Sequence, residues 1–229
     1  MTLRHSNFLQ AVAVAATCGM DAVRRQKKPA VMLWILALAL VLSYYYIPSV
    51  REGLDRLATF KQKTGLTFAM VSSALAGGLF PLLVHFAFAR EKAGRQFRHL
   101  PFFLGFWAVK GVEVDLAYRG LDLVVNSQSF WMKVAAKTIL DMSIYTPFWV
   151  VPTVVFAYLW KDLGYDMTKL GQAVKSQGPV SLLLPVLIVD WAIWLPAVAV
   201  IYCFPLPLQL PLQNIILCLW TVILLTFKS

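Results

Sequence analysis

Apolar runs of about twenty residues, each long enough to cross the hydrocarbon core of a bilayer as a helix, recur along the chain with short basic segments between them. Lipid offers no hydrogen-bond partner to an exposed peptide group, so such runs are restricted to helices that satisfy their own backbone or to closed barrels. These runs are continuously apolar rather than alternating, which excludes the barrel. The expected fold class is all-α: a polytopic helical membrane protein with about six transmembrane helices in one bundle. Composition agrees, because hydrophobic residues make up 59% of the 229 residues and charged ones only 14%, against roughly 25% in soluble domains.

The net charge of +10 excludes little by itself. The basic residues lie mainly between the apolar runs, where they read as topology signals and contacts to anionic lipids rather than as a nucleic-acid surface. Six spans put both chain ends on one face, the more basic one. Cys18, Cys203 and Cys218 form no disulfide framework, and no Asn-x-Ser/Thr acceptor occurs.

Residues 1–28 form a basic N-terminal segment whose one acid is Asp21. Its apolar part, Phe8 to Met20, is too short to span, so an interfacial helix is expected, with a mitochondrial-type targeting segment as the alternative. Arg24, Arg25, Lys27 and Lys28 are candidate lipid-headgroup contacts before Pro29. Residues 29–49 are a transmembrane helix closed by Tyr44, Tyr45, Tyr46 and Pro48. Residues 50–229 make up the rest of the bundle. Val50, Leu54, Leu57 and Ala58 predict an amphipathic helix lying on the membrane over 49–65.

In the second span, Leu66–Ala89, the residues Ala69, Ser73, Gly77, Pro81, His85 and Ala89 recur every four positions. This small-residue stripe is expected to let another helix backbone approach closely. His85 is read as part of that packing, since no second His or Cys has ligand spacing to it. Arg90 to His99 is a basic loop. The fourth span, about Val134–Tyr158, begins where Lys133, Lys137 and Asp141 share a face, and Pro147 and Pro152 are expected to kink it or interrupt its hydrogen bonds. A polar loop over 161–178 holds a short helix near Met167–Lys175. The fifth span, about Pro179–Phe204, carries Asp190. Pro205–Pro211 is expected as a hairpin before a last helix over Leu212–Phe227.

The third span, Pro101–Val125, holds Lys110, Glu113, Asp115, Arg119 and Asp122 within an otherwise apolar run. A charge at bilayer depth costs a few kcal/mol or more, so these residues should face the bundle interior or a watery cavity. At roughly 100° per residue, Asp115, Arg119 and Asp122 share one side, and Lys110 and Glu113 share the other, three apart and able to pair. With Asp141 and Asp190 they form a candidate intramembrane charge cluster. Arg119 is expected between Asp115 and Asp122, with Asp141 or Asp190 approaching from a neighbouring helix.

From about residue 50 onward the order of features resembles the Mpv-seventeen/peroxisomal membrane protein family. Tyr118-Arg119-Gly120-Leu121-Asp122 is similar to its Tyr-x-x-Leu-Asp element. Lys137-Thr-Ile-Leu-Asp141 followed by Pro147 is similar to its lysine–aspartate–proline element, and Trp191-Ala-Ile-Trp194-Leu-Pro196 to its tryptophan motif with one residue inserted. The chain departs from the family where its Gly-Asp is Gly78-Leu-Phe-Pro81 and where Ala199, Tyr202 and Cys203 replace the Gln and Asn-Phe. The helix over 29–49 is an addition. The resemblance covers roughly three quarters of the chain. It implies a small multispan organelle membrane protein, of the mitochondrial inner membrane or alternatively the peroxisome, with no established catalytic residues to carry over.

Two functional readings follow. In one, the charges pair with one another and fix helix packing in a non-catalytic structural or accessory subunit that meets other membrane subunits of a large complex. In the other, the same charges line a path for ions or small solutes. No Ser/His/Asp set, paired metal-ligand motif or phosphate loop occurs, so no enzyme activity, catalytic residue, cofactor or metal is assigned.

Overall fold

The computed structural model describes residues 2–88, 97–125 and 129–226. Ala89 of the small-residue stripe, most of the expected loop over 90–99, and Lys228 lie outside them. The described residues are helical almost throughout and contain no strand, as an all-α membrane fold requires. We number the helices α1 (Thr2–Tyr46), α2 (Pro48–Thr64), α3 (residues 66–88), α4 (Leu100–Val124), α5 (Phe130–Asp162), α6 (Met167–Gln177), α7 (Pro179–Tyr202) and α8 (Leu206–Thr226). Among the described residues α1, α3, α5, α7 and α8 are long and apolar enough to cross a membrane. The helix α4 has 25 residues, length enough to span, but carries the five charges described above.

The chain divides into two compact units, one comprising α1 up to Lys28 with Ile139–Leu195, the other Pro29–Thr138 with Pro196–Ser229. The expected boundary at residue 28 is therefore a change of unit but not a helix end. Pro29 sits inside the 45-residue α1, costing one i→i−4 bond that the long apolar run on its C-terminal side tolerates. Arg24, Arg25, Lys27 and Lys28 are exposed on this helix rather than in a segment before it, and Arg24 reaches Asp21 at 3.5 Å.

In the second unit α2 starts on Pro48, whose fixed φ suits the first helical position. Its apolar stripe does not face lipid as expected. Leu54 and Ala58 pack on a cluster of Tyr44, Phe204, Leu208 and Leu212. Gly65, at φ 57°, is the one residue between α2 and α3, a left-handed turn that a glycine adopts without strain.

The helix α3 is α-helical over Leu66–Ser73 and Phe80–Phe88, with a π-helical turn over Ala74–Leu79. Each π turn holds an extra residue, so the four-residue spacing slips by one beyond it. Ala69, Ser73 and Gly77 are buried as expected, but across the π turn the buried line continues through Gly78 and Leu82, leaving Pro81 and His85 half-buried. The stripe meets α4 closely. A Cβ on Gly77 would fall under 3.0 Å from the Trp107 ring, and one on Gly111 would fall equally close to the Ala69 carbonyl and Ser73. The helix α8 joins the same packing: Ser73 Oγ donates to Asn214 Oδ1 at 3.1 Å, and Asn214 Nδ2 donates to Ser72 Oγ at 3.0 Å.

The proline run before α8 is not the expected hairpin. The turn is confined to residues 203–205, and Pro207 and Pro211 lie within the helix. Pro207, at the second helical position, falls where N–H groups have no intrahelical partner and forfeits little; Pro211 lies a turn deeper and forfeits one i→i−4 bond. Gln209 Nε2 also donates to the Phe204 carbonyl at 3.0 Å, stitching the turn to the helix.

In the first unit α5 is π-helical over Asp141–Val150, around Pro147. The regular i→i−4 bonding is thus interrupted around Pro147, one of the two outcomes expected of a proline there, while the helix continues. Trp191 Nε1 donates to the Met142 carbonyl within this stretch at 2.7 Å. A Cβ on Gly19 would come within 3.0 Å of Ile188, so α1 and α7 approach closely there. Outside the spans, Asp166 caps α6 by accepting from the N–H groups of Thr168 and Lys169 at 2.8 and 3.1 Å. The Lys169 N–H is the chief reason its carboxyl is held below the ordinary value of 3.8, with Thr168 N–H and the Lys169 charge adding to it against the opposing effect of burial.

Candidate functional site

Charges on an apolar helix need partners supplied by whatever packs beside it, and α4 receives them from two neighbours. Asp115, 2% exposed in its side chain, meets Lys61 of α2 at 2.5 Å, itself 4% exposed. Arg119, one turn on, reaches the other carboxylate oxygen at 2.7 Å with 44% of its side chain open. The pairing of Asp115 with Arg119 follows the expected i,i+4 geometry. The buried cation from α2 was not anticipated.

Asp122 does not flank Arg119. Its Oδ1 accepts from Lys133 Nζ at 2.9 Å and Lys137 Nζ at 2.6 Å, both on α5. Lys137 and Asp122 are thus drawn together across 15 residues. Lys137, 2% exposed in its side chain, is neutralised by Asp122, and Asp141 accepts from Thr146 Oγ1 at 3.1 Å. On the opposite side of α4, Lys110 and Glu113 pair at 2.5 Å as expected. Asp141 and Asp190 both lie in the first unit.

The single expected cluster is therefore three separate ion-pair groups in the second unit: Lys61–Asp115–Arg119, Lys110–Glu113 and Asp122 with Lys133 and Lys137. In these groups five cations meet three carboxylates. Tyr118, buried between the two Asp115 and Asp122 turns, donates to Gln213 of α8 and meets Tyr202 edge-on at 5.4 Å between ring centroids. The signal for Lys61 was present in the sequence: with Leu54 and Ala58 it continues one helical face at i, i+4 and i+7, so the lysine sits in the apolar stripe.

His85 Nδ1 lies 2.9 Å from the Pro81 carbonyl, a contact within its own helix. Among the described residues no three His, Cys, Asp or Glu side chains gather as a metal site. No family model matches the chain, and no curated protein or solved structure matches it.

Proposed function

We propose that the chain is a non-catalytic structural or accessory subunit of a larger assembly in an organelle membrane, the mitochondrial inner membrane first and the peroxisomal membrane as the alternative. The observation that carries this reading is that every charge on α4 is engaged by a partner inside the protein, in three separate groups rather than along one path. Charges spent in this way fix helix register and contact, which is a scaffold's requirement. Trp131, Phe148 and Trp149 stand 71%, 77% and 52% exposed on α5, offering aromatic surface to lipid or to neighbouring subunits.

The resemblance to the Mpv-seventeen/peroxisomal membrane protein family supports the same reading. The residues that carry it are ones that hold helices together: Asp122 with Lys137, Tyr118 with Gln213, and Trp191 with the Met142 carbonyl. The channel reading draws on Asp190, a mid-span carboxylate with no ion-pair partner among the described residues. Native electrophoresis after mild-detergent extraction separates the two. A subunit co-migrates with a complex far larger than 25.7 kDa and gives no conductance in planar bilayers. Migration alone together with an ion-selective conductance abolished by Asp190→Asn would overturn the proposal.

A further inference from the structure

A cavity of about 290 Å³ opens in the second unit where five helix ends converge. Tyr45, Asp122 and Tyr202 come from the ends of α1, α4 and α7, and Phe130 and Leu206 from the starts of α5 and α8. Convergence of span ends, with tyrosines among them, sets the cavity at the headgroup layer rather than the hydrocarbon core. Four polar side chains define its chemistry.

Lys133 and Lys137 both donate to one oxygen of Asp122. Two ammonium groups on one carboxylate leave a surplus positive charge inside a recess where water screens it weakly. Lys137 is buried, while Lys133, 37% exposed in its side chain, has spare N–H donors at the mouth. Gln209 is 2% exposed and also lines the cavity. Its amide orientation is not arbitrary, because the Phe204 carbonyl can only accept and so holds the NH2 side. The Oε1 atom is left buried without a hydrogen-bond partner, and an acceptor in that state calls for an incoming donor.

We propose that this cavity binds a phosphate ester whose headgroup arm carries a hydroxyl or ammonium donor. The phosphate oxygens accept from Lys133 at the mouth, and the arm donates to Gln209 Oε1 inside. Phosphoglycerol and phosphoethanolamine groups satisfy both requirements; phosphocholine has the phosphate but no N–H or O–H to give. The same chemistry comes from a membrane lipid or from a soluble ester, and the depth of the cavity favours the lipid.

Native mass spectrometry of the delipidated full chain, with add-back of phosphatidylglycerol, phosphatidylethanolamine or phosphatidylcholine, tests this directly. Phosphatidylglycerol and phosphatidylethanolamine should be retained in preference to phosphatidylcholine. Lys133→Ala, which leaves Asp122 paired with Lys137, should weaken retention of phosphatidylglycerol by about tenfold, the loss of one charge-assisted hydrogen bond. Gln209→Met should erase the preference of phosphatidylethanolamine over phosphatidylcholine while sparing the effect of Lys133. Arg56→Ala, on an exposed cation of α2 outside the cavity, should change nothing. Competition by free glycerol phosphate identifies a soluble source, and its failure to compete while the lipid binds identifies the lipid. Equal retention of all three lipids, or an equal loss in Lys133→Ala and Arg56→Ala, overturns the site. Should Lys133→Ala not accumulate, Lys133→Gln is read in the same way.

Discussion

Lys61→Ala removes a cation buried to 4% from a carboxylate buried to 2%, at a separation of 2.5 Å. At an effective dielectric of about 20 the attraction between such charges is roughly 7 kcal/mol, most of it offset in the native protein by the cost of desolvating both. Removing one partner recovers only its own desolvation and strands the other. That loss is typically about 3–5 kcal/mol for a fully buried pair. Arg119 remains on the second oxygen of Asp115, so the lower end, about 3 kcal/mol, is expected. For a chain of this size such a loss lowers the melting temperature on the order of 6–12 °C, readable by tryptophan fluorescence in detergent. Adding Asp115→Asn should restore a large part, because the stranded charge is then gone. Arg119→Leu, at a half-open side chain, should cost about 1 kcal/mol. A Lys61→Ala protein melting within a degree or two of the parent would refute the argument, since Asp115 would then have to be solvated.

At the glycine seam, Gly77→Leu drives a side chain into the Trp107 ring and should destabilise by about 1–3 kcal/mol or more; pairing it with Trp107→Ala should recover part of that in the same melting assay. At Asp166 the folded pKa is depressed by the Lys169 and Thr168 N–H groups, so its contribution is present above the unfolded value and is lost as pH falls through the folded one. Amide protection over Thr168–Gln177, measured against the intrinsic exchange rate at each pH, should therefore fall below about pH 4, and Asp166→Ala should show that lower protection already at neutral pH; identical protection in both proteins would refute the cap.

Much of the fold could be read from run length alone, because a bilayer-length apolar segment has few alternatives to a helix. The α6 helix and the pairing of Lys110 with Glu113 were equally legible, since both depend on contacts within four residues. What could not be read depended on partners distant in sequence or on slips in helical period. Asp122 chose Lys133 and Lys137 over Arg119 because packing, not spacing, decides which ammonium arrives. The π turns in α3 and α5 moved the buried line by one residue, and nothing in a strict four-residue count announces the slip. The prolines of 205–211 suggest a hairpin because proline usually ends helices, whereas Pro207 at the second helical position costs little and the helix continues through Pro211.

The division into two units has a consequence for how the chain is made. Neither unit is contiguous: one needs the start of α1 together with Ile139–Leu195, and the other, begun at Pro29, is completed only by Pro196–Ser229. During vectorial synthesis or import, Lys61, Asp115 and Lys137 therefore enter the membrane well before α8, which supplies Leu208, Leu212 and Asn214 to the same core. For that interval the charged helix lacks one of its walls, and the closing contacts span more than a hundred residues. Insertion machinery or a chaperone that shelters polar helices has its work here. A nascent chain arrested before Pro196 is the form of this protein that quality control should recognise.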